Sequence, residues 1–520
     1  MSSFECKTVH LRWPFRGSNG SACTERPIQN CAPGGYVRST KGMLRYPTLL
    51  CLVSVLGASV AHAQPTAEAR PNILLILVDN LGYGELGSYG GGVLRGAPTP
   101  RLDLLATEGL RLTNFNVESQ CTPSRSALLT GRFAIRSGTT RVVRGGRPSG
   151  LVQWEITLAE VLSAQGYATA HYGKWHLGDV EGRFPTHQGF EEWYGIPNTT
   201  NLSMYTSQPG FDPDVAPTPS IMEGRRGEPS RKVATFDLET RRLIDTEATR
   251  RAVGFLERSA QARRPFFAYV PLTAVHYPTL PHPSFAGKTG NGDFADSVVE
   301  MDAHVGELLD ALRRLKLEAN TIVIFASDNG PEDLLPWRGS AGPWSGSYFT
   351  AMEGSLRAPF VIRWPGRVPH GATSNEIVHQ VDVFTTLARF VGADIPQDRM
   401  IDGVDQRDFF LGKRDRSARE GFPCYVGDTL AGAKWRNWKV HFVWQENKFD
   451  PVQTLGVPRV FNLLDDPRER HDLSTAEGNW ALFPLYKLVD EFQASLRKEP
   501  PIPVGTPDPY VPGKSVTMLP

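Results

Sequence analysis

The apolar positions of this chain fall into two kinds of segment. Residues 72–78, 265–272 and 321–326 are short, almost unbroken apolar runs, as expected of strands buried on both faces of a sheet. Residues 110–117 also read as a strand, and 167–170 as a shorter one. Helical periods alternate with them. Thr99 and Pro100 open a helix that ends near Gly109, and residues 156–165 and 243–260 carry apolar stripes. In 296–315, Val298, Met301, Val305, Leu308, Leu309, Leu312 and Leu315 recur at helical spacing, and His304 reads there as an outward-facing or structural residue. Alternation of this kind predicts an α/β fold around one large sheet.

Beyond about residue 415 the pattern changes. Residues 435–444 and 460–464 read as short strands and 479–496 as a closing helix, which predicts a small antiparallel sheet with one helix on it. Residues 205–235, rich in Pro, Gly and Asp, predict a long surface loop, with Arg225 and Arg226 on a solvated face. The Pro-rich end, 500–520, needs no fixed fold. The expected organisation is an N-terminal extension and signal peptide over 1–63, a catalytic domain over 71–415, a C-terminal subdomain over 416–497 and a tail over 498–520.

The leader changes how charge and cysteine are read. Residues 49–60 form one short apolar run, preceded by Lys41 and Arg45 and closed by Ala61-His62-Ala63. This fits a signal peptide over 43–63 that starts at Met43, with 1–42 an upstream extension. The run is shorter than the roughly 20 residues of a membrane span. Export to the periplasm or the exterior is expected, without stable membrane insertion. Loss of 1–63 removes seven basic and two acidic residues and takes the formal charge from +1 to −4. No basic patch marks nucleic acid as a partner. Four of the six cysteines also go, leaving Cys121 and Cys424, too few for a disulfide scaffold. They either pair with each other or leave Cys424 as a lone buried thiol. Asn198 and Asn201 head glycosylation sequons.

Polar groups cluster where the apolar runs end, which is where open α/β sheets place their chemistry. Asp79-Asn80 follows the first strand and Ser327-Asp328-Asn329-Gly330 follows 321–326. Two carboxylates and two amides form an all-oxygen set suited to Ca²⁺ or Mg²⁺. His276 lies past the end of 265–272, and Lys174 and His176, two apart, project to one side of an extended backbone. Cys121 stands at the start of a short helix, where free N–H groups favour an anion, and Arg125 adds a fixed positive charge.

Cys121-Thr122-Pro123-Ser124-Arg125, with Leu129-Thr130-Gly131-Arg132 behind it, resembles the signature of the type I, formylglycine-dependent sulfatases, the arylsulfatase family. Gly173-Lys174-Trp175-His176-Leu177-Gly178, Ser327-Asp328-Asn329-Gly330 and 461–469 are similar to further segments of that family, so the resemblance runs in order over 71–497. It implies an alkaline-phosphatase-like α/β fold: a large mixed central sheet flanked by helices, with a small C-terminal antiparallel-sheet subdomain. It implies hydrolysis of small-molecule or carbohydrate sulfate esters, with Cys121 converted to formylglycine by a formylglycine-generating enzyme. The hydrated aldehyde would attack sulfur with one hydroxyl and use the other to release the sulfate. By the same resemblance Asp79, Asn80, Asp328 and Asn329 hold Ca²⁺, with Mg²⁺ as the alternative. Arg125 and Lys174 hold the sulfo group, His176 acts on the nucleophile, and His276 helps the alcohol leave.

The chain departs from the family pattern at three places. Asn80 stands where an aspartate is usual, and Ser355 replaces the second glycine after Glu353. Tyr348 occupies the spacing of the usual lysine, and no lysine occurs between 318 and 412. Tyr348 and Arg338 are therefore candidate substrate contacts in its place. Two other readings share this scaffold: a phosphodiester or phosphonate monoester hydrolase, and a non-catalytic protein that binds sulfated ligands.

Overall fold

The computed structural model describes residues 70–142, 149–475 and 478–508. The expected leader, 1–63, and the last twelve residues of the tail lie outside the described residues. Fifteen strands are described: β1 (Asn72–Val78), β2 (Leu110–Asn116), β3 (Ala168–Lys174), β4 (Glu192–Ile196), β5 (Ser220–Arg225), β6 (Arg231–Thr235), β7 (Phe266–Pro271), β8 (Thr321–Ser327), β9 (Arg357–Arg363), β10 (Ala372–Ser374), β11 (Val378–His379), β12 (Gly421–Val426), β13 (Thr429–Trp435), β14 (Trp438–Trp444) and β15 (Gln453–Asn462).

The first eleven form one mixed sheet in the order β10-β2-β9-β8-β1-β7-β3-β4-β5-β6, with β11 beside β2. At its centre β8, β1, β7 and β3 run parallel, so their C-terminal ends open on the same edge. The apolar run of β1 explains why it is central. Leu74, Ile76 and Val78 pack against the helices Ile244–Gln261 and Asp293–Arg314 on one face; Ile73, Leu75 and Leu77 pack against Cys121–Thr130 and Val381–Phe390 on the other. Each of these side chains is sealed from water, worth about 1.5–3 kcal/mol apiece. The remaining four strands form an antiparallel sheet, β12-β13-β14-β15, covered by the helix Leu482–Lys498. The α/β class, the flanking helices and the small C-terminal sheet are as expected. No helix among the described residues is long and apolar enough to cross a membrane.

Several local expectations are corrected. Residues 205–235 are not one loop: they contain β5 and β6, which extend the sheet from β4. Their polar, loop-like composition conceals them, because neither is buried on both faces and β6, at the edge, has only one partner. The strand expected to stop at Ala170 continues to Lys174. The strand expected over 435–444 is β14 over 438–444; Trp435 ends β13, and 436–437 turn between the two. Thr99 borders its helix but makes no capping bond; its hydroxyl accepts the Gly87 N–H instead. The start of the tail is pinned: Asp508 pairs with Arg183 at 2.6 Å, and the Ile502 N–H donates to the Arg136 carbonyl.

His304 is buried rather than outward-facing, with Nε2 3.3 Å from Glu300 and Nδ1 3.5 Å from Glu307. Burial alone would lower its pKa, but the two carboxylates, with Asp245 behind them, raise it to about 9. A raised folded-state pKa stabilises fully below the unfolded value, about 6.5, and the benefit fades as pH rises through the folded value. His304→Gln is expected to cost about 3 kcal/mol near pH 6 and little by about pH 10. Urea denaturation at both pH values reads the difference; an equal loss at both would make His304 a packing residue only.

Candidate active site

Four parallel strand ends and one helix N-terminus build the site. Asp79 and Asn80 follow β1, Asp328 and Asn329 follow β8, Lys174 ends β3, and His276 lies in the turn after β7. Backbone conformation aims several of them. Gly173, at φ +136, precedes Lys174; a Cβ there would lie 1.9 Å from the Pro271 carbonyl oxygen, so β3 approaches β7 this closely only with glycine. Asn80 and His176 both hold left-handed φ of +56°. His176 thus follows Lys174 through a kink beyond the strand, not through simple alternation along it.

Cys121 is the first residue of the helix Cys121–Thr130, and Gln120 before it supplies no side-chain cap. The positive end of the helix dipole therefore lies at Cys121, where it favours an anion. Cys121 Sγ lies 3.5 Å from Asp79 Oδ1 and 3.7 Å from Asn80 Oδ1. Ligating atoms of Asp79, Cys121 and His276 all fall within 4.8 Å of one another. Cys121 and Cys424 are both free thiols, which removes the pairing held open above.

The floor is an ionic lattice closed to water. Lys174 Nζ sits 2.7 Å from Asp79 Oδ2, and Arg125 reaches Asp328 Oδ2 through Nε at 3.1 Å and Nη2 at 2.8 Å. Arg125 Nη1 donates to the Lys174 carbonyl at 2.6 Å. Burial pushes the Asp79 carboxyl up, but Lys174, His276 and Arg125 outweigh it and hold it well below the usual range. In Asp328 burial and the neighbouring Asp79 charge prevail and raise it. Burial also drives the Cys121 thiol far up and lowers both His176 and His276. His276 Nδ1 is 2.6 Å from the Tyr277 carbonyl, so Nδ1 carries the proton and Nε2, 3.4 Å from Thr199 Oγ1, is left as an acceptor. Both ring nitrogens of His176 are buried without a partner.

The residues fit a hard cation. Asn329 Oδ1 is a buried oxygen with no hydrogen-bond partner; the Nδ2 of the same amide donates to Asn80 Oδ1 at 2.7 Å, and the Asn80 N–H donates to Asp328 Oδ1 at 3.1 Å. Carboxylates and amide oxygens are Ca²⁺ and Mg²⁺ donors.

Tyr348 and Arg338 fare differently. Tyr348 is buried beside this lattice, and burial together with Glu332 raises its phenol far above the ordinary value, so it does not supply an acidic proton. Arg338 is largely exposed and pairs with Asp333 at 2.6 Å; no contact joins it to the floor. Three further groups escaped the sequence reading. Thr200 Oγ1 lies 3.4 Å from Asp79 Oδ2, inside a sequon whose Asn198 is buried and bound to Asp179. Glu332 accepts from Asn80 Nδ2 at 3.3 Å, and Lys448 pairs with the other Glu332 oxygen. Glu332 could have been found two residues past the Asp328 motif, whereas Lys448 carried no local signal.

Comparison with known proteins identifies the family. The family model described as Sulfatase matches residues 71–393. Arylsulfatase A from Bos taurus is 37% identical over 450 residues, covering 82% of this chain and 86% of that protein. N-acetylgalactosamine-6-sulfatase from Canis lupus familiaris is 35% identical, covering 83% and 86%. The crystal structure of the PsFucS1 sulfatase from Pseudoalteromonas sp. superposes with a TM-score of 0.79 at 31% identity, covering 84% of this chain and 92% of that one. The chain therefore belongs to the type I, formylglycine-dependent sulfatase family and is a sulfuric ester hydrolase.

Proposed function

We propose that this protein hydrolyses sulfate monoesters of aryl alcohols or sugars, using Cys121 as formylglycine and a Ca²⁺ held by Asp79, Asn80, Asp328 and Asn329. The carrying observation is the placement of Cys121, at a helix N-terminus and 3.5 Å from Asp79. An unconverted thiol in that position is a weak nucleophile, because burial holds it protonated. As formylglycine the residue would supply a hydrated aldehyde, with one hydroxyl to attack sulfur and a second to release the sulfate. Cys121 is buried in the folded chain, so conversion by a formylglycine-generating enzyme precedes folding. Ca²⁺ would supply positive charge to the sulfo oxygens.

The chain's own residues do the rest. Arg125 and Lys174 are held rigid by Asp328 and Asp79 and face the sulfo group without reorganising. His176, with two unpartnered ring nitrogens, orients or deprotonates the attacking hydroxyl. His276 presents Nε2 to the pocket; an acceptor while the ring is neutral, it would serve the departing alcohol only after taking up a proton, as from the attacking hydroxyl. The relatives' names, an arylsulfatase and an N-acetylgalactosamine-6-sulfatase, suggest the aryl-to-sugar range of the ester. Export through the expected 43–63 leader would place the enzyme in the periplasm or outside the cell.

Mature protein tests this directly. The Cys121 peptide should weigh about 18 Da less than the cysteine form, and p-nitrophenyl sulfate should turn over far faster than the matched phosphate mono- and diesters. An unmodified thiol with no turnover would favour a binding protein, and a preference for phosphate esters would favour a phosphohydrolase.

A further inference from the structure

The loop between β14 and β15 enters the active site from the C-terminal sheet. Its own bonds shape it: the Asn447 N–H donates to Asp450 Oδ2 at 3.0 Å, and Gln445 Nε2 donates to the Lys448 and Asp450 carbonyls at 3.3 and 3.1 Å. The result is to aim Lys448. Its Nζ donates to Glu332 Oε1 and, at 2.9 Å, to the hydroxyl of Tyr348, and lies 4.5 Å from the centre of the Tyr348 ring. Tyr348 is the residue that stands at the lysine spacing of the family pattern, so an ammonium is returned to that corner from a segment 100 residues away.

The chain of contacts from Lys448 to the nucleophile is short. Glu332 Oε2 accepts from Asn80 Nδ2, and Asn80 Oδ1 lies 3.7 Å from Cys121 Sγ. An ammonium has three donors, and the protein occupies two of them. The groups of the floor, Asp79, Arg125, Lys174 and Asp328, are closed to water, whereas the Lys448 side chain keeps 11% exposure. An ester whose sulfo end rests on that floor has its bridging oxygen and alcohol at the level where solvent access begins. Lys448 is at that level, with one N–H to spare.

We propose that Lys448 contacts the substrate at the oxygen bridging sulfur and the alcohol. Its ammonium donates a hydrogen bond there as the S–O bond breaks and the electron pair gathers on oxygen. Glu332 and Tyr348 are positioning residues that hold the ammonium in place. The C-terminal sheet is thereby part of the catalytic site. This rests on the sulfatase reading above and adds to it the group on the leaving-group side.

Leaving-group dependence tests the proposal. Lys448→Met keeps a straight chain and removes the charge, and aryl sulfates with phenol pKa values from about 7 to about 10 span the leaving groups. Compared with wild type, the variant should lose roughly 10-fold in kcat/KM on the most acidic phenol and roughly 1000-fold on the least acidic, chiefly in kcat. Lys448→Arg should recover most of that loss; because Lys448→Met also leaves the buried Glu332 carboxylate without its counter-charge and lowers the melting temperature, kcat is referred to the folded fraction. A uniform loss across all leaving groups, a change in KM alone, or a fall in melting temperature with unchanged kcat on the folded fraction would each overturn the proposal and leave Lys448 as the counter-charge of Glu332. Wild type that turns over no sulfate ester would instead sink the sulfatase reading, and this inference with it.

Discussion

Cys121→Ala is expected to abolish sulfate-ester turnover, by about 10⁵-fold or more, while the protein folds normally. The thiol is fully buried, and alanine removes one sulfur without introducing a polar atom, so the stability loss should stay near about 1 kcal/mol. What disappears is the thiol between the Asp79–Asn80 edge and the helix N-terminus; the methyl carbon that remains cannot be oxidised to the aldehyde, so no oxygen nucleophile is presented there. Arg125, Lys174 and the oxygen ligands proposed for the cation remain intact in the variant. They can still bind a sulfate ester, so an equilibrium binding assay should give an affinity within about tenfold of wild type. A variant that retains turnover would displace Cys121 from the reaction altogether.

The second large effect concerns stability. Glu353 lies at the junction of the two sheets with no exposure to water, 2.7 Å from Lys434 Nζ and 3.0 Å from Lys439 Nζ, and it also pairs with Arg357. Lys439 pairs in turn with Glu469 at 2.9 Å, and His441 Nε2 lies 2.7 Å from the same carboxylate. Burial presses the Glu353 carboxyl up, yet the cations around it outweigh this and keep it well below the ordinary range. Lys434 bears the cost of the arrangement: burial, with Arg357 close by, lowers it to about 7. Removing the shared anion leaves two lysines and an arginine facing one another in a dry interior, a loss of about 3–5 kcal/mol. Glu353→Ala should therefore lower the urea midpoint far more than Cys121→Ala does. A loss below about 1 kcal/mol would mean that water or relaxation of the C-terminal sheet compensates the cluster.

The strands that bear the chemistry were legible because each is buried on both faces. Nothing polar can interrupt such a run without an unpaired group, so β1, β7 and β8 appear in the chain as unbroken apolar letters that end where Asp79, the His276 turn and Asp328 begin. The strands β5 and β6 at the end of the sheet were missed for the complementary reason. Their residues are largely solvent-facing, and their composition is that of a loop. The role of His304 was missed because helical periodicity tells which face a residue shares, not which carboxylates of the same helix will turn toward it.

Amino-acid order alone decided the fold class and the identity of the floor: Cys121, Arg125, Lys174, Asp79 and Asp328 each sit in a local motif whose spacing sets its own backbone shape. Folding alone decided who meets whom at the mouth. Lys448 reaches Glu332 across 116 residues and Glu353 reaches Lys434 across 81. Contacts of that kind arise where one sheet docks on another, and docking leaves no period, cap or turn residue in the chain from which it could be read.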